Sequence, residues 1–189
     1  MPPKTKVTKE EILSTAMNMV RESGESVLNA RALAARLGCS TQPVFSNYAT
    51  MEALREDILR RAYEMYLSYL KTDMTSGKYP PYKASGMAYI RFALEEPELF
   101  KLLFMRDRPR AEQGQMGSDF EQIVDIVQEK LGLDRARAVR FHLEMWVYVH
   151  GIAVMLATNY LQLDWNTISE MMTDAYESMR AHYMKEGEK

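Results

Sequence analysis

Residues 29–48 read NARALAARLGCSTQPVFSNY, and apart from Arg31 and Arg36 the polar side chains there are mostly short and neutral. Thr41, Gln42, Ser46 and Asn47 carry hydroxyls and carboxamides on one short predicted helix. Asn29 and Ser40 stand just before the two helices that the run predicts. Without a neighbouring base such groups are weak catalysts, but they donate and accept hydrogen bonds at base edges in a major groove. The plainer reading of the same residues is a solvated helix face. The ring of Phe45 suits either a core position or a rest against sugar and phosphate. The chain shows no nucleophile–base pair, no phosphate-cradling loop and no His, Cys, Asp or Glu cluster at metal-ligand spacing. Neither an enzyme, a cofactor nor a bound metal is therefore expected; a catalytic histidine would have to be His142, His150 or His182.

The elements that position this run all read as helices. Pro and Gly fall between segments of helical period, and no alternating strand pattern occurs. Thr8 and Glu11 form a capping box that opens a first helix, with Ile12, Ala16, Met17 and Val20 on its apolar face and Gly24 at its end. Asn29 can cap a second helix, Ala30 to Leu37, closed by Gly38 in a positive-φ turn. Ser40 can cap a third, with Pro43 in its first turn, where a missing N–H costs little. Two short helices joined by a glycine turn make the helix-turn-helix pattern. In it Ala34 is small enough for close packing, and Leu33, Leu37 and Val44 form the apolar joint. The starts at Ala30 and Thr41 can also hold phosphates.

Thr50 can cap a fourth helix to about Lys71, and a fifth, with Met87, Tyr89, Ile90, Phe92 and Leu94, stops before Pro97. A short apolar piece, Leu99 to Phe104, follows. Residues 106–117 are predicted to be a mobile loop. Ser118 and Glu121 read as a second capping box, ahead of Phe120, Ile123, Val124, Val127 and Leu131. Asp134 caps what should be the longest helix, to about Tyr160, and a last helix follows Asn166. The expectation is an all-α chain of about nine helices: a three-helix head over residues 1–49 and a helical body over 50–189.

Composition agrees. Hydrophobic residues make up 47% and charged residues 26% of 189, ordinary values for a globular chain able to bury a core. Net charge is −2, yet residues 1–50 hold six basic groups against four glutamates, so a mildly basic front precedes a body at −4. Cys39, the single cysteine, excludes an internal disulfide and suits a reducing cytoplasm, and as a small residue in a tight turn it is expected to be buried. No signal peptide is visible, and the most apolar stretch, Met145 to Ala157, is too short to span a bilayer. A cytoplasmic protein without a membrane partner is expected.

The segment Thr8 to Leu54 resembles the DNA-binding domain of the TetR family of repressors, through Leu33-Ala34, Gly38-Cys39-Ser40, Phe45, Tyr48 and the run Thr50 to Leu54. The family usually has Tyr where Phe45 stands and Lys where Met51 stands, both backbone contacts, so weaker sequence-independent affinity is expected. The remainder resembles a C-terminal subgroup named for a Trp-His-Gly signature, through Pro97 to Phe104 and Trp146-x-x-x-His150-Gly151. That resemblance implies a double-stranded operator as partner, a homodimer built on the last two helices and a pocket for a small apolar or amphipathic ligand among helices five to eight. Tyr89, Phe92, Phe100, Phe104, Phe120 and Trp146 are the candidate lining residues, each equally suited to core packing. His150 lies one turn from Trp146 and suits either a ligand contact or a structural hydrogen bond.

Overall fold

A computed structural model describes residues 7–110 and 117–186. Nine α-helices and one 3₁₀ turn are found among them, and no strand: α1 Lys9–Ser23, α2 Ala30–Arg36, α3 Gln42–Asn47, α4 Met51–Thr75, α5 Pro81–Glu95, α6 Pro97–Phe104, α7 Ser118–Leu131, α8 Arg135–Ala157 and α9 Trp165–Glu186. The chain divides into two compact units. One holds the chain up to Met65 together with Glu96–Arg106; the other holds Tyr66–Glu95 and the chain from Asp107 onward.

Local chemistry sets most boundaries. The Thr8–Glu11 capping box forms, with Thr8 Oγ1 accepting from the Glu11 N–H and the Glu11 carboxylate accepting from the Thr8 N–H at 2.7 Å. Asn29, Thr50 and Asp134 cap α2, α4 and α8 by accepting from the N–H groups of Ala32, Ala53 and Arg137. Gly132 closes α7 in the left-handed conformation.

Four readings of the sequence are corrected. Ser118 is the first residue of α7, and Gly117 occupies the cap, so no second capping box exists; Glu121 pairs with Arg135 instead. Asp164 rather than Asn166 starts α9, because its Oδ1 accepts from the N–H groups of both Asn166 and Thr167 at 3.0 Å. The longest described helix is α4, at 25 residues, and it runs to Thr75. Finally, α8 stops at Ala157. Within the expected loop, residues 111–116 lie outside the described residues.

In the first unit Ile12, Val20, Leu33, Val44, Leu54, Leu99 and Phe100 are fully enclosed. Here α1 packs on α2, α3 and α6. Arg21 on α1 grips Glu96, at the head of α6, with a bidentate pair whose Nε–Oε2 arm is 2.6 Å; Glu96 is only 7% exposed. Gly24, at φ +78° and ψ 174°, turns the chain out of α1 through a conformation that is essentially glycine's alone.

In the second unit α5 is the central helix. It is buried at Tyr82, Ala84, Met87, Ala88, Tyr89, Ile90, Phe92 and Ala93, most of its circumference, and packs against α7, α8 and α9. Gly86 lets α8 and α9 approach: a Cβ there would lie 2.5 Å from the Met172 methyl and 3.5 Å from Val149. Among the described residues no helix is long and apolar enough to cross a membrane.

Candidate functional site

The turn between α2 and α3 is made at Gly38, at φ +66°, where an added Cβ would meet nothing within 4 Å. The glycine is therefore needed for its backbone and not for space. The Cys39 N–H donates to the Ala34 carbonyl at 3.0 Å, and Cys39, in the turn between the two helices, is half-exposed rather than buried. Val44 fixes the inner face of α3 in the core. Tyr48 anchors the helix end. Its ring is buried under the Lys9 ammonium, 4.8 Å away, and its hydroxyl donates to Asp57 on α4 at 3.1 Å. Burial and that carboxylate push the Tyr48 phenol up to about 12. The Lys9 ammonium, 2.9 Å from Asp57, holds the Asp57 carboxyl below the usual range.

The outer face of α3 presents Gln42, Phe45 and Ser46 to solvent, with Thr41 half-exposed beside them. The Phe45 ring is 49% exposed, so it is not a core aromatic. Ser40 is exposed, but it is removed as a cap. Thr41 precedes the first helical residue and is already wound helically (φ −71°, ψ −14°), so no side-chain cap is made. Two candidates are partly committed elsewhere. Asn47 donates through Nδ2 to the Pro43 carbonyl at 2.8 Å and to the Val7 carbonyl at 3.4 Å. Asn29 spends Oδ1 on its cap and Nδ2 on the Val27 carbonyl. Ser46 is exposed, but its hydroxyl donates back to the Gln42 carbonyl at 2.9 Å.

Charge near this face is mostly neutralised inside the unit. Arg36 pairs with Glu22, Arg55 with Glu25, Arg60 with Asp57 and Arg61 with Glu10. Arg31 is exposed at the start of α2 and makes no ion pair with a described residue. Composition counted it only as part of a basic front.

The second unit holds a different kind of site. The Tyr89 hydroxyl and His150 Nδ1 are hydrogen-bonded at 2.9 Å between α5 and α8, and Trp146 stacks on the His150 ring at 5.4 Å. About two helical turns along, the Tyr82 hydroxyl and His142 Nδ1 are 3.2 Å apart, with the Phe120 ring tilted against His142 at 4.9 Å. Tyr66 donates to Asp119 at 3.0 Å and meets Tyr89 edge-on. The Tyr176 hydroxyl is enclosed next to Tyr82 with no hydrogen-bond partner among the described residues. Tyr89, Trp146 and His150 thus fall together, Phe120 packs on His142 instead, and Phe92 is fully enclosed beside Tyr66. Phe100 and Phe104, which the sequence groups with them, belong to the first unit, where they pair with each other at 5.3 Å on α6. Tyr66, Tyr82 and Asp119 were not singled out from the sequence, and His142 only as one of three histidines a catalytic site would have to draw on. The signal was the repeat: tyrosines two turns apart on one helix, histidines two turns apart on another.

Burial drives the His142 imidazolium down to about 4 and lowers His150 as well; it raises both Tyr82 and Tyr89. His142 therefore binds a proton more weakly in the folded chain than in the unfolded one. Its contribution is complete above the unfolded value near 6.5 and is lost as pH falls from there through about 4, a change of about 3 kcal/mol. His142→Phe should flatten that part of a denaturant-midpoint profile between pH 7 and 4; an unchanged slope would show that other groups carry it.

Residues 82–178, just over half of the chain, match the family described as tetracyclin repressor-like, C-terminal domain. The protein belongs to the TetR family of transcriptional regulators. No curated protein matches it. Among solved structures, a TetR-like transcriptional regulator from Rhodococcus sp. RHA1 superposes with TM-score 0.66 at 13% identity, over 98% of each chain. A TetR-family regulator from Vibrio parahaemolyticus gives 0.63 at 16%, over 89% of this chain and 96% of that one. A variant TetR from Acinetobacter baumannii AYE, in complex with minocycline, gives 0.56 at 16%, over 95% and 98%. At these identities the superpositions carry the fold, and the TetR-family chain has it along nearly its whole length.

Proposed function

We propose that this TetR-family regulator is a homodimeric repressor that holds an operator through α3 and releases it when a small apolar or amphipathic molecule enters the second unit. The observation that carries the reading is the asymmetry of α3. Val44 is locked into the core, while Gln42, Phe45 and Ser46 stand in solvent at the spacing of one helical face. Such a helix serves as the reading rod of a helix-turn-helix, and a twofold dimer would present two of them about one duplex turn, ~34 Å, apart.

The second unit supports the ligand half. Aromatic surface surrounds a few hydrogen-bonding groups, Tyr89, His150, Tyr82 and His142, and burial keeps both imidazoles neutral near pH 7. This is the composition of a site that orients an amphipathic molecule. The single helix α4 has residues in both units, so a ligand that prefers one arrangement of α4 biases the head by its differential affinity for the two states. The reading makes the protein a regulator and not an enzyme.

The test is fluorescence anisotropy of duplexes from the gene's own upstream region across a salt series. Tight, salt-dependent binding to one duplex over unrelated ones is expected. Equal affinity for every duplex, with dimer and ligand binding intact, would instead mark a ligand-binding protein whose DNA head has decayed, a reading favoured by Phe45, by Met51 and by the ion-paired cations.

A further inference from the structure

We infer that Phe45 is a base-reading residue. Its ring takes the methyl group of a thymine, while Gln42 beside it reads an adenine, so each half-site is specified by one apolar and one carboxamide contact. The inference rests on the DNA-binding reading above and adds what the operator must contain.

Most of the polar side chains around α3 already have partners in the chain. The Ser46 hydroxyl donates to the Gln42 carbonyl, Asn47 Nδ2 to the Pro43 carbonyl, and Asn29 is held by its cap. The Gln42 carboxamide is exposed and makes no hydrogen bond to a described residue. It is the group best placed to offer the paired donor and acceptor that match adenine N7 and N6.

Phe45 follows Gln42 by three residues and so shares its face. Half of its ring is in water. A phenyl ring has no hydroxyl to give a phosphate, so the surface it covers on binding must be apolar to be favourable. In a major groove the apolar feature of the base edges is the thymine methyl. Backbone charge contributes little discrimination to offset this, since Arg36, Arg55, Arg60 and Arg61 face carboxylates and Arg31 alone of the exposed head arginines has no ion-pair partner among the described residues.

The experiment selects randomised duplexes with the full-length wild-type chain, with Phe45→Ala and with Gln42→Ala. It then replaces each selected thymine in turn by deoxyuridine, which pairs identically but lacks the methyl. One thymine per half-site should matter. Deoxyuridine there should weaken wild-type binding about fourfold, the worth of one buried methyl, and leave Phe45→Ala unaffected. Gln42→Ala should lose roughly tenfold of discrimination at an adenine. If Phe45→Ala weakens all duplexes equally while the wild type is indifferent to deoxyuridine, the ring serves the backbone and the inference falls alone. If the wild-type chain enriches no sequence, the DNA reading falls and takes the inference with it. The deoxyuridine arm uses the unaltered protein, so it decides the matter even if a variant misfolds.

Discussion

Val147→Asp should turn the proposed homodimer into a monomer and lower operator affinity by about 10²–10⁴-fold, the factor that joining two reading heads supplies. The argument is the outer face of α8. Val147 is 66% exposed, Tyr148 and Met155 stand exposed near it, and a Cβ on Gly151 would meet nothing within 4 Å. Positions 147, 148, 151 and 155 share one side of a helix. A monomer has no use for an apolar stripe there. A second copy of the chain is the occupant we assign to it, since twofold pairing buries the same stripe on both subunits and Gly151 permits close approach. An aspartate at position 147 of this stripe would bring a charge into the apolar contact from each subunit. Sedimentation equilibrium together with anisotropy checks this. A variant that stays dimeric at micromolar concentration and binds the operator normally would place the pairing surface elsewhere.

Arg21→Ala should cost about 3 kcal/mol, equivalent to roughly 6–12 °C in the melting of a chain this size. Glu96 is almost wholly enclosed, and Arg21 supplies both arms of the fork that compensates its charge. Removing the arginine leaves a buried carboxylate with a much poorer environment. Because Arg21 is itself partly open to solvent, the cost sits at the low end of that for a fully buried pair. Arg21→Lys should recover only part, since an ammonium cannot reproduce a planar fork. The pair Arg21→Ala with Glu96→Gln should be less destabilised than the sum of the single variants. Additive losses in denaturant titration would show that the two residues act separately.

What the sequence revealed and what it concealed divide by range. The Thr8–Glu11 box, the Asn29, Thr50 and Asp134 caps and the turns at Gly24, Gly38 and Gly132 depend on groups within four residues of one another, and all were legible. Phe45 and Tyr48 separate as outer and inner aromatics only once Val44 fixes the rotation of α3. The commitment of Asn47 was nearly visible. An amide four positions after Pro43 sits one helical turn along from its carbonyl and can bend back to it. By contrast, Arg21 and Glu96 lie 75 residues apart, and the two Tyr–His pairs 60 and 61 apart. Local periodicity says which side of a helix is apolar and nothing about which distant helix it meets. For that reason α6 read as part of the body although its contacts are with α1.

That allegiance matters to anyone who would recombine this regulator with another. Splicing after residue 49 discards Leu54, Ile58, Leu99 and Phe100, which are enclosed in the same unit as α1 to α3. A chimaera that keeps the head intact needs three junctions, at 65/66, 95/96 and 106/107, so that α6 travels with the donor of α1 and the Arg21 fork keeps its mate.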